Sequence, residues 1–269
     1  MQRLKRSGLY ALAFCWLLPM AGYAQTSKLT CGHGKSIGES LKKLKPGDTL
    51  LVSGTCIENL LIPEEVLNVV LDGQGTAQIN PLNPNDNTVN IRGRGIVLKR
   101  FIVAGGNRAI ALQNGAAAIL TENVIERAQT FGVQISRNTF ARVLGNTIRD
   151  NGSDGVNVRL GSGADIFNNL IAGNRGGVNV DSGGSADISG NHIFGNAEDG
   201  VRLRDNSHVR FSDDPDNDRI NVIELNGDNG VDCASGGTIS GAPVSFGAGN
   251  AGGNTNIAAN CIVQSGVLP

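Results

Sequence analysis

The chain has 269 residues, a formal net charge of −1, 38 glycines and only 4% aromatic residues. A near-neutral charge argues against nucleic acid or an anionic membrane surface as the main partner. So few aromatics fit stacked thin layers better than a thick globular core.

The first 24 residues read as a secretory signal peptide. Lys5 and Arg6 precede a short apolar run, Leu9 to Leu18, and Gly22-Tyr23-Ala24 supplies small residues for cleavage after Ala24. That run is too short to span a bilayer, and no later segment reaches about 18 consecutive apolar residues. A secreted or periplasmic, non-membrane-spanning domain is therefore expected over residues 25–269. Four of the five cysteines lie in it: Cys31 and Cys56 near one end, Cys233 and Cys261 near the other. An even count in a secreted chain predicts disulfides, here Cys31–Cys56 and Cys233–Cys261.

Helix precedes strand. Ser36 to Leu44 (SIGESLKKL) has a Ser cap and an amphipathic pattern, suited to covering the open end of a stack. Pro46-Gly47-Asp48 leads into what reads as the first strand, Thr49 to Val52. Val69 to Asp72 and Ile96 to Val103 read as further strands.

A repeat then takes over. GVQISRNTFARVLGNTIRDN starts at Gly132, GVNVRLGSGADIFNNLIAGN at Gly155 and GVNVDSGGSADISGNHIFGN at Gly177. From Gly132 through Gly155 and Gly177 to Gly200 the steps are 23, 22 and 23 residues, and the next, to Gly230, is 30. Each copy alternates apolar and polar residues in short runs separated by Gly, Asn and Ser. Three short strands per copy describe one coil of a parallel β-helix. Predicted inward columns are Ile110/Val133/Val156/Val178/Val201, Leu112/Ile135/Val158/Val180/Leu203, Leu120/Val143/Ile166/Ile188/Phe211 and Ile125/Ile148/Ile171/Ile193. Asn123/Asn146/Asn169/Asn191 and Asn151/Asn174/Asn196 read as asparagine ladders at turns, where Asn tolerates left-handed geometry and its amide can bond neighbouring coils. The Gly-, Ala- and Asn-rich stretch from Ser235 to Asn256 reads as irregular.

The fold class is thus all-β: a single-stranded right-handed parallel β-helix with a short N-terminal capping helix. The PGDTLLVSGTCIENLLI opening (Pro46 to Ile62) and the GVxV…AxI…NxI…N coils resemble the pectate-lyase-like superfamily over nearly all of the mature chain. That resemblance implies polysaccharide chemistry. The scaffold nevertheless hosts lyases, glycosidases, epimerases and non-catalytic proteins.

Candidate site residues fall in three groups. Asp154 in NGSDGV resembles the Asn-Thr-Asp motif of polygalacturonases, and Glu198-Asp199 in AEDGV resembles their Gly-Asp-Asp motif. Asp154 and Asp199 share a column two coils apart, about 9.6 Å by strand spacing, at the upper edge of an inverting carboxylate pair. Gly176 occupies the coil between them, and the family's downstream Gly-His-Gly and Arg-x-Lys motifs are missing. Asp before Gly is also ordinary turn chemistry. Arg159, Asp181 and Arg204, with Arg202 and Asn157/Asn179 alongside, form an outward charged column able to hold a glycan carboxylate or sulfate. Finally, Asp213, Asp214, Asp216 and Asp218 crowd hard oxygen ligands into the enlarged coil and could hold Ca²⁺. His208 stands just before that loop as a possible general acid or base. His192 reads as a solvent-facing turn residue.

Two function classes follow. One is an enzyme acting on acidic polysaccharide as lyase, hydrolase or epimerase. The other is a non-catalytic structural or glycan-binding surface solenoid. Minimal turns leave little groove and weigh towards the second. In either case the expected partner is a polysaccharide or cell-surface glycan.

Overall fold

A computed structural model describes residues 24–32, 34–212, 220–242 and 244–268. Its strands form three parallel sheets of 11, 9 and 9 strands, each strand pairing with its counterpart in the coils before and after. One coil shows the unit. Asp154–Arg159 lies in the second sheet, Gly163–Phe167 in the first and Leu170–Ala172 in the third, before Gly176–Val180 returns to the second. This is the predicted β-helix.

The inward columns stack as expected. Val156 pairs with Val133 and Val178, Ile166 with Val143 and Ile188, and Ile171 with Ile148 and Ile193. All these side chains are buried. β-Branched residues suit this pleated, enclosed surface. Both disulfides, Cys31–Cys56 and Cys233–Cys261, are present.

Helix α1 (Ile37–Leu41) covers the N-terminal end with Ile37 and Leu41 buried. Ser36 caps it by accepting from the Glu39 amide, and the Glu58 carboxylate accepts from the Ile37 and Gly38 amides at 2.7 and 3.0 Å. Orphan helix donors are thereby satisfied by the first coil itself.

Several expectations are corrected. Thr49–Ser53 is not the first strand: Thr26–Thr30 precedes it and forms the edge of the first sheet. Ile96 to Val103 is not continuous; it divides into Arg94–Lys99 and Ile102–Ala104 around Arg100, whose φ is 58°. The C-terminal stretch is not irregular, since Thr238–Gly241, Ser245–Phe246 and Gly253–Ile257 extend the three sheets. His192 lies in a strand, His192–Phe194, rather than in a turn.

The ladder asparagines bond between coils as expected, but they do not themselves take the left-handed turn. The residue before each one takes the left-handed turn: Glu122, Gly145, Asn168 and Gly190 in one column, Asp150, Gly173 and Gly195 in the other. The ladder residue itself is free to turn inward and bond between coils. The columns run on through Asn221 and through Asn226 and Asn250.

Coil-opening glycines are needed for close approach rather than for turn geometry. A Cβ on Gly177 would run into the Gly200 carbonyl of the next coil and the Ile193 Cγ2 of its own. Gly177→Ala is expected to cost about 2 kcal/mol, as overpacking does. Chemical denaturation should show the lower midpoint; an unchanged midpoint would mean the coils can spread.

Candidate functional site

Alternation within each second-sheet strand sends Val156 and Val158 inward and leaves Asn157 and Arg159 on the outer face. Register then aligns Asn90, Ala111, Gln134, Asn157, Asn179, Arg202, Asp232 and Asn256 in a single column along the solenoid. Several of these side chains bond from coil to coil. Gln134 donates to Asn157 at 3.3 Å, Arg202 to Asn179 at 3.4 Å and Asn256 to Asp232 at 2.7 Å.

The charged residues beside this column are brought together as pairs. Asp181 accepts from Asn157 and Asn179 at 3.1 and 3.2 Å, and Arg159 Nε lies 3.4 Å from it. Arg204 pairs with Asp232 at 3.4 Å. Burial first, then the charge of Asp199, pushes the Asp232 carboxyl above its ordinary range, against the pull of Asn256 and Arg204.

Asp154 and Asp199 meet through one guanidinium. Arg202 Nη2 lies 3.2 Å from Asp154 Oδ1, and Arg202 Nη1 lies 3.9 Å from Asp199 Oδ2 and 3.1 Å from Glu198 Oε2. The intervening Gly176 leaves room for this: a Cβ there would strike the Asp154 carboxylate. Asp199 is committed further, accepting from both the backbone amide and the side chain of Asn229 at 3.1 and 3.0 Å. Glu198 feels burial as an opposing effect, yet Arg175 and Arg202 hold it below the usual carboxylate range.

Asp154 is the exception. Burial pushes its pKa up from 3.8 to about 6, with the charges of Glu198 and Asp181 adding to the rise and Arg202 and Asn179 opposing it. An acid whose folded pKa is raised binds its proton more tightly when folded. Its stabilising effect is therefore present at low pH and is lost as pH rises from about 4 through about 6. The loss amounts to about 2–3 kcal/mol. Asp154→Asn should accordingly gain stability relative to wild type across that window. Denaturant melts of both proteins at pH 4 and pH 7.5 test this, and parallel stability curves would rule it out.

His208 is not part of this constellation. It opens His208–Phe211 in the first sheet, where its Nε2 contacts Ser240 Oγ at 3.3 Å. The four aspartates expected to hold calcium, Asp213, Asp214, Asp216 and Asp218, lie outside the described residues, as does the signal segment through residue 23. Among the described residues, the one His/Cys/Asp/Glu grouping tight enough for a metal is Cys31, Cys56 and Glu58. Its two sulfurs are already bonded to each other.

Despite the short turns, the outer face of the second sheet is not flat. Three depressions of about 210, 230 and 360 Å³ follow one another along it. The first two share Asn87 and the last two share Arg159, so they adjoin one another in a row. The middle depression contains two residues that sequence reasoning missed, Arg108 and Arg137. A signal for Arg108 existed. It stands two residues before Ile110, as Asp154 stands two before Val156, so the Asp154/Asp199 column continues backwards through Phe131 to Arg108. The Arg108 guanidinium lies 6.0 Å from the centre of the Phe131 ring.

Comparison with known proteins agrees with this architecture. The family described as "Right handed beta helix region" matches residues 68–193. The structure of pectate lyase Pel9A aligns with a TM-score of 0.62 at 9% identity, covering 91% of this chain and 78% of that one. A double mutant of the periplasmic alginate epimerase AlgG aligns at 0.57 and 14% identity, covering 91% and 73%. A cell surface glycoprotein of Methanothermus fervidus is 28% identical over 87 residues, which is 32% of this chain and 14% of the glycoprotein. The chain is a right-handed parallel β-helix, the fold that it shares with these solved structures.

Proposed function

We propose that this protein binds an extended acidic polysaccharide along the outer face of its second sheet, outside the cytoplasm. The observation that carries this reading is the groove traced by the row of adjoining depressions, with their shared residues Asn87 and Arg159. Its walls offer amides for hydroxyl groups and guanidinium groups for acid substituents. An elongated site matches an elongated ligand. The likeness in fold to a pectate lyase and an alginate epimerase supports a polysaccharide as that ligand, and two disulfides support an oxidising compartment.

In this reading, binding rather than bond cleavage is the main activity. Arg202 spans the two acids that would have to act as free acid and base, and Asn229 restrains one of them. One observation favours a second reading, in which the protein cleaves what it binds. Asp154 holds its proton up to about pH 6, as a general acid must.

Affinity electrophoresis through gels containing polygalacturonate, alginate or neutral dextran tests the first reading. Retardation by the acidic polymers, weakening as salt is raised, is expected. Equal mobility in all gels would end it. Release of reducing ends, or ultraviolet absorbance from an unsaturated product, would favour the second reading if Asp154→Asn abolishes the signal.

A further inference from the structure

We propose that Arg108, Arg137 and Arg159 form a discrete site for a tetrahedral ester oxyanion, a sulfate or phosphate group carried on the glycan. The proposal rests on the groove being a polysaccharide site and adds which substituent the groove selects.

The three arginines line the middle depression with Asn87, Gln113, Gln134 and Ser136, and no carboxylate lines it. This distinguishes Arg108 and Arg137 from most arginines of the solenoid. Arg142, Arg149, Arg175, Arg202, Arg204 and Arg210 each reach an acid. Arg108 instead donates to the neutral Asn87 at 3.2 Å, and Arg137 to the neutral Gln113 at 3.3 Å. Arg159 Nε is ion-paired with Asp181 at 3.4 Å without a well-formed hydrogen bond, whereas the buried Nε of Arg108 is without a hydrogen-bond acceptor. Burial, then the charges of Arg159 and Arg137, weakens the hold of Arg108 on its proton, and no carboxylate is among the groups acting on it. Three cations and the unsatisfied Arg108 Nε around one cavity are a cost to the free protein that a bound anion removes.

The type of anion follows from donor number and placement. The arginines come from three backbone positions: before strand Ile110–Gln113, after strand Val133–Ser136 and at the end of strand Asp154–Arg159. A carboxylate presents two oxygens in one plane and is filled by one bidentate fork. A sulfate or phosphate ester presents three peripheral oxygens pointing in different directions, one for each fork. Ser136 and Gln134 supply further donors beside them.

The test compares the intact protein's affinity for dextran sulfate, phosphorylated dextran and polygalacturonate, matched for length and charge density. One or both tetrahedral esters should bind about tenfold more tightly than polygalacturonate, and whichever binds better identifies the group. R108Q/R137Q should bring that ratio close to one. Arg204→Gln, which removes a groove charge elsewhere, should weaken all three polymers alike and leave the ratio intact. If the double variant does not fold, R137Q alone serves, because Arg137 is exposed. Polygalacturonate binding as tightly as both esters, or a ratio unchanged in a folded variant, overturns the site while leaving the polysaccharide reading intact. No binding to any polymer overturns both.

Discussion

Val156→Asp should abolish the cooperative unfolding transition of this protein. Val156 is 0% exposed and stacks between Val133 and Val178 in the middle of the solenoid. Val158, two residues further along the strand on the same face, is equally apolar and buried. A carboxylate placed there finds no donor, because every polar ladder of the coil lies at a turn or on the outer face. Burying an unpaired charge is prohibitive, so the acid would stay protonated, and even a neutral carboxyl costs several kcal/mol without partners. The volume change from valine adds strain. Against a typical total stability of about 5–15 kcal/mol, such a loss at a central coil is decisive. In a stack where each coil contacts only its neighbours, it also separates the halves on either side. Circular dichroism and limited proteolysis should show an unfolded or nicked chain. A variant melting near wild type would mean that the inward column has been assigned to the wrong face.

That column is legible in the amino-acid sequence because repetition averages out local ambiguity. A single Val-x-Val is weak evidence for a strand, but a run of such pairs recurring at 22- to 23-residue steps is not. Legibility ends where repetition ends. Thr26–Thr30 has one buried side chain, Leu29, and no copy to compare with. Gly253–Ile257 is exposed throughout and rich in Gly and Asn. Both are strands because a neighbouring coil offers them an edge, which is a tertiary cause that local propensity does not carry. The repeat also reveals which residues recur without revealing why. Turn chemistry accounts for Gly in general, whereas here Gly177 is set by a carbonyl one coil away, and of the two roles open to the ladder asparagines, left-handed turn and bond between coils, only the second is used.

At the site the same limit applies. Asp154 and Asp199 are legible as members of one column, and Arg202 as a neighbour. That a single guanidinium spans both acids depends on Gly176 leaving the intervening space empty. Arg108 escapes notice because its coil opens with Ala109 in place of glycine, which hides the column position. Arg137 escapes because it falls in a turn, where charged residues are usually only solvated. His208 and Asp154 are on strands of different sheets, and the path of a coil around its corners cannot be measured from spacing alone.

Asn169→Ala is the second large effect, expected to destabilise the protein by about 3 kcal/mol. Asn169 Oδ1 accepts from the Asn146 amide at 2.9 Å and from its Nδ2 at 3.1 Å. Asn169 Nδ2 donates to the Val143 carbonyl at 2.8 Å and to Asn191 Oδ1 at 2.9 Å. Alanine removes all four bonds at a site that water does not reach. The Asn146 amide and the Val143 carbonyl lose a buried partner, while Asn146 Nδ2 still has the Leu120 and Leu144 carbonyls. The cavity adds a further, smaller cost. Asn169→Leu separates the two contributions: it refills the space without restoring a bond, so it should be no more stable than the alanine variant. If leucine recovers most of the loss, packing rather than the ladder holds the corner. A double-mutant cycle with Asn146→Ala makes the ladder itself the observable. The bonds between the two side chains can be lost only once, so the double variant should cost about 1 kcal/mol less than the two single losses together. Strict additivity would mean that each asparagine serves its own turn and that coil-to-coil bonding through the column contributes nothing to stability.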